Sequence, residues 1–369
     1  MQQTKTYKTQ EYRIHLTAEQ KKLLEADFHF EDETYNHLAD LANNLHQQDA
    51  PLSYVQEQIK AYQPPICNCT RHQISLEHTK KTILRAAANL YDGTYKTIYL
   101  RNYARGQRGF YCKGISVTAT HVIVPHLGRM PRDTHRGLYP GSIILSAQIF
   151  CNVYEDRYRI AILVSCPCDA AEMKLPIRYE NAIGIDYAQD GLYMDSNGNT
   201  GDYPAYLAQS EAKIRNLQAA IARATYGSKR WYKLKGRLSK VKRHAQNQRK
   251  DWQYKAAKQM VQEHDLVAFE TLDFKRMQQD KPQLAPKIKD NAFPLFTKKA
   301  VDYANESGKC IVFVNPYYPS SQICSVCGYH IGKIPLSERR IACPQCGTVM
   351  HRDINAAKNI LREGLRIAH

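Results

Sequence analysis

The sequence predicts a multidomain α/β protein, in which a β-rich unit with inserted helices precedes an α/β unit that carries a four-cysteine ribbon. Three observations predict it. Short β-rich runs cluster between residues 115 and 165, downstream of a long stretch with helical patterning. Two apolar runs that end in carboxylates, Ala182–Asp186 and Asp265–Glu270, are separated by a helical hairpin, the alternation of a sheet with crossover helices. Near the C-terminus, Cys324/Cys327 and Cys343/Cys346 form two Cys-x-x-Cys knuckles separated by 15 residues.

The chain has 369 residues, room for two or three domains, and 43% hydrophobic residues mark it as globular. Its 52 Lys and Arg against 35 Asp and Glu leave a formal charge of +17, which points to a polyanionic partner, nucleic acid or an anionic membrane surface. The polar start MQQTKTYKTQEYRIHL has no apolar signal region, and no apolar run approaches the ~20 residues of a membrane span. A soluble, cytoplasmic protein with no membrane partner is expected. Eleven cysteines, an odd number, suit thiolate metal ligation in a reducing compartment better than a disulfide framework.

Tyr7–Leu16 alternates enough for a strand, which Thr17 ends. Thr17-Ala18-Glu19-Gln20 reads as an N-cap with Gln at the third helical position, opening a helix toward Phe30. Residues 31–58 continue in a polar helical pattern that Tyr62-Gln63-Pro64-Pro65 breaks. A further helix runs over Ser75–Asn89, with Ile83, Ala86 and Leu90 at helical spacing.

Gly93–Arg132 contains no acidic residue. Tyr95, Arg101, Arg105, Arg108 and Lys113 stand there among further aromatics. Rings stack on bases while Lys and Arg neutralise phosphates, so the mixture suits a nucleic-acid surface. Tyr95 and Tyr99, four apart, equally suit a helix anchored in a core. Ile115–Thr118, His121–Val124, Gly141–Gln148 and Tyr158–Val164 read as short strands that pair with the strand near Tyr12–Leu16. Cys67/Cys69 and Cys166/Cys168 are Cys-x-Cys pairs, a weak sign of a second metal site. The expected division is a β-rich domain of residues 1–20 and 112–178, a helical domain of 21–111 and an α/β domain of 179–369, with the ribbon at 319–350 inserted in the last.

In the α/β part, Ala182–Asp186 and Gly191–Met194 read as two strands joined by a tight turn, followed by an Asn197-Gly198 hairpin turn. An Asp closing a buried strand is a turn former or a metal ligand. Tyr206–Ala224, with Leu207, Ile214, Leu217 and Ile221 on one stripe, and Lys229–Gln262 form a helical hairpin. From Lys213 to Lys250 there are thirteen Lys or Arg and no acid. A solvated helix normally mixes signs, so the run favours a polyanion contact, with Lys229, Arg230, Lys233 and Arg237 as candidates. Thr271–Pro294 reads as a loop, Phe296–Glu306 as a short helix, Cys310–Val314 as a strand and Asp353–Leu365 as the last helix.

The spacing Cys-x2-Cys-x15-Cys-x2-Cys predicts one structural zinc ion held by Cys324, Cys327, Cys343 and Cys346, since four thiolates leave no open coordination position. Asp186 and Glu270 end strands and Asp353 begins a helix. Strand ends separated by helices converge on one edge of an α/β sheet, where three carboxylates can bind two Mg²⁺ ions for phosphodiester hydrolysis. The absence of a Gly-rich phosphate loop argues against ATP hydrolysis.

GIDYA with Asp186, LVAFETLDF with Glu270, YYPSSQICSVCG followed by CPQCG, and HRDINAAKNIL with Asp353 resemble the TnpB family of transposon-associated proteins, compact relatives of the type V CRISPR effectors. The resemblance covers roughly Ala182–Leu361. It implies a RuvC-like, RNase H-type nuclease domain with the zinc ribbon inserted, a β-rich wedge domain and an inserted helical recognition domain. The implied activity is Mg²⁺-dependent, RNA-guided cleavage of double-stranded DNA, with a guide RNA from the transposon end. Asp186, Glu270 and Asp353 would be its triad, and Arg339, before Cys343, matches an Arg often found in that loop and is a candidate phosphate contact. Alternatives are a nuclease-inactive RNA-guided repressor and a transposase that acts without guide RNA. Ala188 and His351 depart from the commoner Gly and Asp, and the Thr271–Phe296 segment lacks the usual Trp.

Overall fold

Thr17 separates the first strand from the first helix. Its hydroxyl accepts from Gln20 N at 3.2 Å while Thr17 N donates to the Gln20 side chain at 3.0 Å, a reciprocal cap that satisfies two orphan donors. The computed structural model describes residues 6–65, 69–101, 107–133, 137–166, 178–188, 190–335 and 338–368. The chain divides into two compact units, Met1–Cys168 and Asp169–His369.

The first unit runs β1 (Thr6–Ile14), α1 (Ala18–Gln47), α2 (Leu52–Ala61), α3 (Thr70–Tyr91), β2 (Gln107–Cys112), β3 (Ser116–Val117), β4 (His121–Val124), β5 (Gly128–Pro131), β6 (Ile143–Asn152) and β7 (Arg157–Cys166). β1 pairs antiparallel with β7, as the sequence predicts, in a four-stranded sheet of order β1-β7-β6-β2; β3, β4 and β5 form a small second sheet. Its core joins Ile14, Leu24, Phe28, Phe110, Val124, Met130, Ile149 and Ile162. The helical pattern does continue past Phe30, but 31–58 is not one run: α1 ends at Gln47 and α2 begins at Leu52 after Pro51. The sequence reading missed β2. Residues 108, 110 and 112 all face inward, but Arg108 fills the first place and hides the alternation.

The second unit runs β8 (Ala182–Ala188), β9 (Leu192–Asp195), α4 (Tyr206–Ala222), α5 (Lys229–Glu263), β10 (Leu266–Glu270), α6 (Phe274–Asp280), α7 (Ala285–Asn291), α8 (Phe293–Ser307), β11 (Cys310–Val314), β12 (Arg340–Ala342), β13 (Val349–His351) and α9 (Arg352–Ala368). The sheet order is β11-β10-β8-β9, with β8, β10 and β11 parallel and β9 antiparallel. α5 and α8 cover one face through Ala257, Met260, Phe293 and Phe296. α9 covers the other, setting Ile360 against Leu266, Ala268, Val312 and Val314. The Leu207–Ile221 stripe of α4 is only half-buried, against α5.

Thr271–Pro294 is not the loop that its prolines suggest. Asp273 Oδ1 accepts from Lys275 N and Arg276 N, both at 3.0 Å, and so starts α6. Pro286 and Pro294 lie in the first turns of α7 and α8, where the missing N–H has no helical partner to lose.

Two glycines set the depth at which α9 lies. A Cβ on Gly184 of β8 would clash with Ala357 O and stand 2.6 Å from Leu361 N, and one on Gly364 would overlap the Ala268 side chain of β10. Backbone cannot yield as a flexible side chain can. Gly184→Ala is therefore expected to destabilise the chain by about 3 kcal/mol, the upper end of overpacking effects. Urea unfolding of the second unit measures it, and an unchanged midpoint would show that the helix rides out the extra methyl.

Candidate active site and metal centre

Parallel pairing of β8 with β10 places Ile185 opposite Phe269, so the next residues, Asp186 and Glu270, stand side by side at the same sheet edge. Both residues are half-buried, and their carboxyls are desolvated and hydrogen-bonded to each other. Desolvation, then the Glu270 charge beside it, push Asp186 well above the usual carboxylate range; Asp353 adds to the rise. Burial also raises Glu270, against a hydrogen bond from Tyr187 N at 2.9 Å to its Oε1. Two carboxyls in this position favour sharing a proton or holding a cation.

Asp353 opens α9, where a carboxylate meets the positive end of the helix dipole. Its Oδ2 accepts from Arg339 Nη1 at 2.8 Å, so the candidate phosphate-binding Arg is turned onto the Asp353 carboxylate while its side chain stays 62% exposed. The three carboxylates do not all close to within 4.8 Å, a spacing that the four sulfurs alone achieve among the described residues.

Support for this edge comes from residues that sequence reasoning missed. Asn291 Nδ2 donates to Tyr187 Oη at 2.9 Å. The neighbouring Asp290, buried, accepts from Tyr203 Oη at 2.7 Å, Leu207 N at 3.0 Å and Ala208 N at 2.9 Å. α4 has no cap of its own, since Ala205 precedes it in the left-handed region, and Asp290 serves instead. Gln253 donates to Asn291 O and Arg249 donates to Lys289 O, fixing α7 on α5. The only sequence signal was the DN pair itself, inside a segment that looked like loop.

The four sulfurs form one cluster, with Cys324 and Cys346 3.8 Å apart and Cys327 and Cys343 3.6 Å apart. A tetrahedral zinc site with Zn–S near 2.3 Å requires sulfurs about 3.8 Å apart, so the residues fit the ion. The two knuckles repeat one geometry. Gly328 N and Gly347 N donate to Cys324 O and Cys343 O, each at 2.9 Å, and both glycines take positive φ. Hydrogen bonds from Thr348 hold the Cys346 thiol down to about 6, ready to ligate as thiolate. The other pairs each have one member, Cys67 or Cys168, outside the described residues; Cys166 is buried in β7.

Asn355 and Asn359, both buried on α9, join the ribbon to the helix. Asn355 Oδ1 accepts from Ser325 N and its Nδ2 donates to Ile323 O, each at 2.7 Å; Asn359 Nδ2 donates to Ser320 O at 2.8 Å. Asparagine disfavours helix interiors, so two of them four apart were the available signal.

The nucleic-acid candidates separate. Lys229, Arg230, Lys233 and Arg237 are exposed on α5, Lys113 is exposed, and Tyr95 is 45% exposed. Arg105 lies outside the described residues. Arg108 does not belong to a surface: it is 7% exposed, donates from Nε to Asp32 Oδ2 at 2.9 Å and pairs with Glu25. Arg101 is half-buried, 4.0 Å over the Tyr35 ring and 3.4 Å from both Glu31 and Asp32.

The fold matches that of compact effectors of the Cas12f type. A cryo-EM structure of a Cas12f1–sgRNA–target DNA complex aligns with 97% of this chain and 99% of its own, at a TM-score of 0.51 and 12% identity. Residues 293–360 match the family model described as "Cas12f1-like, TNB domain", and residues 167–280 match that described as "Probable transposase". A Streptomyces pristinaespiralis protein named as a candidate RNA-guided DNA endonuclease is 30% identical over 184 residues, 50% of this chain and 45% of the relative. TnpB-like protein L79 of Acanthamoeba polyphaga mimivirus is 33% identical over 162 residues, 42% of this chain and 30% of the relative. These likenesses support a TnpB-family protein, most directly over the second unit. The chain spans less than half the length of either curated relative.

Arg108→Ala is expected to destabilise the chain by about 3 kcal/mol, because it strips the buried Asp32 carboxylate of its closer partner. Denaturant unfolding without nucleic acid reads this, and a change below about 1 kcal/mol would return Arg108 to the surface candidates. Cobalt(II) added to metal-free protein is expected to give the absorption of a tetrahedral four-thiolate site, lost in Cys343→Ser. An octahedral spectrum would exclude that donor set.

Proposed function

We propose that the chain is an RNA-guided DNA endonuclease whose second unit is a RuvC-like domain of RNase H type. The observation that carries the reading is the half-buried Asp186–Glu270 pair at the end of parallel strands, with Asp353 delivered beside it by α9. The names of the relatives support the RNA-guided activity, and the exposed cations of the acid-free stretch Lys229–Lys250 on α5 support a polyanionic partner. On this reading the sheet and helices of the first unit are the wedge and recognition domains, and guide RNA and double-stranded DNA are the partners.

Asp186, Glu270 and Asp353 would hold two Mg²⁺ ions, which supply an activated water and charge stabilisation at the leaving oxygen. Tyr187 N holds Glu270 Oε1 in place, and Asn291 holds the Tyr187 ring behind it. Arg339 neutralises Asp353 and keeps that carboxylate in one rotamer. Lys229, Arg230, Lys233 and Arg237 would bind phosphates.

The shifts give this reading a sign. Both desolvated carboxyls have folded pKa values above their ordinary ones, so their contribution to stability is full at low pH and is lost as pH rises through the folded values. Asp186→Asn should therefore abolish cleavage yet raise the melting temperature at neutral pH, by about 2–4 °C for each kcal/mol of repulsion relieved. Cleavage by the unmutated protein should rise with pH and level off above the usual carboxylate range. A rate already flat at pH ~4, or an Asp186→Asn variant that still cuts, would overturn the assignment.

A further inference from the structure

The segment after α3 is held rigidly while it presents aromatic rings to water. Two asparagines on α1, seven residues apart, grip it as a neighbouring strand would. Asn43 donates to Ile98 O and accepts from Ile98 N, both at 2.9 Å; Asn36 donates to Arg101 O at 2.9 Å and accepts from Arg101 N at 2.6 Å. Ile98 is thereby buried, whereas Tyr99 is 81% exposed and Tyr95 and Leu100 are about half exposed. Burying these rings is the ordinary outcome for apolar surface of this size, so a fixed backbone that keeps them in solvent indicates a surface made for a partner.

Beneath them lies a hollow of about 550 Å³, between α3 and residues 94–99, with Tyr35 from α1 in its wall. That volume is within the range of small-ligand clefts, ~300–1,000 Å³. No acidic side chain lines it among the described residues, while Arg85 and Lys96 do. Arg85 has no acid three or four residues away on α3, and Asp92, just before the segment, is engaged in accepting from Thr94 N at 2.8 Å. Arg101 fixes a further cation over the Tyr35 ring.

We propose that this hollow binds one unpaired nucleotide, its base stacked on the exposed tyrosines and its phosphate held by Arg85 and Lys96. Aromatic rings beside unopposed cations suit an unstacked base with its charge, whereas a continuous duplex offers only phosphates to such a site. The inference rests on the nucleic-acid reading above and narrows it to a single-stranded partner, RNA or DNA.

The test uses the full chain, freed of nucleic acid and carrying Asp186→Ala so that no strand is cut. Short unstructured oligonucleotides containing a fluorescent adenine analogue are titrated as RNA and as DNA, with a duplex of the same sequence as reference. Binding is expected to quench the analogue. Tyr99→Ala should weaken single-strand binding about 5- to 100-fold, Tyr99→Phe should retain it, and duplex binding should change little. An exposed side chain can be truncated without disturbing the core, which an unchanged melting temperature checks. Tighter binding in the RNA arm assigns the site to a guide, and tighter binding in the DNA arm to a separated target strand. Unchanged quenching and affinity in both Tyr99→Ala and Tyr95→Ala, or an equal loss with duplex, would overturn the proposal. Tyr-dependent binding in this variant, with no cutting by the chain that keeps Asp186, would leave this site standing and the nuclease reading fallen; cutting by the chain that keeps Asp186, with binding that does not depend on Tyr95 or Tyr99, would do the reverse.

Discussion

The second unit depends on how closely α9 approaches its sheet. With glycine at 184 and 364, helix backbone rests almost on strand backbone, and the depth of α9 decides where Asp353 stands relative to Asp186 and Glu270. A helix one side-chain layer higher would carry the third carboxylate away from the strand ends. The same helix receives the ribbon through Asn355 and Asn359. The four-thiolate cluster is therefore a second hold on α9, from its other flank. One ion held by all four sulfurs would have no open position for chemistry.

Against that rigid frame, the carboxylate pair is a local liability. Asp186 and Glu270 are half-buried, hydrogen-bonded to each other and raised by desolvation, so the fold retains a repulsion that an amide would relieve. Such conflicts with stability persist where function uses them. Tyr187 N, Tyr187 Oη and Asn291 restrain the pair from behind, and Asp290, one residue earlier, ties the same segment to the start of α4. The basic helical hairpin and the acidic edge thus share one short anchor.

What the sequence made legible follows from how local each signal is. The knuckles, the Thr17 cap, the strands ending in Asp186 and Glu270 and the long basic helix all rest on spacing within a few residues. Features settled by tertiary contact were hidden. β2 was masked because Arg108 occupies an inward place, matched by Asp32 on a helix 76 residues away in sequence. The prolines of 282–294 read as breakers, yet Pro286 and Pro294 fall where helices begin. Charge counting also misled in the first unit. Arg71, Arg101 and Arg108 are spent on buried Asp27, Glu31 and Asp32, so the acid-free run from Gly93 holds fewer surface cations than it displays. On α5 the stretch Lys229–Lys250 contains no acid, and Lys229, Arg230, Lys233 and Arg237 stay exposed.

The three carboxylates are not equivalent, and the difference lies in what opposes each. Asp353 sits at a helix N-terminus with Arg339 2.8 Å away, so its charge is compensated without any ion. Asp186 and Glu270 are opposed more weakly, by the Arg352 charge near Asp186 and the Tyr187 N–H on Glu270, and both stay raised. The unrelieved repulsion at this edge therefore lies in the strand pair, while Asp353 is already compensated by an Arg339 side chain that stays exposed to solvent.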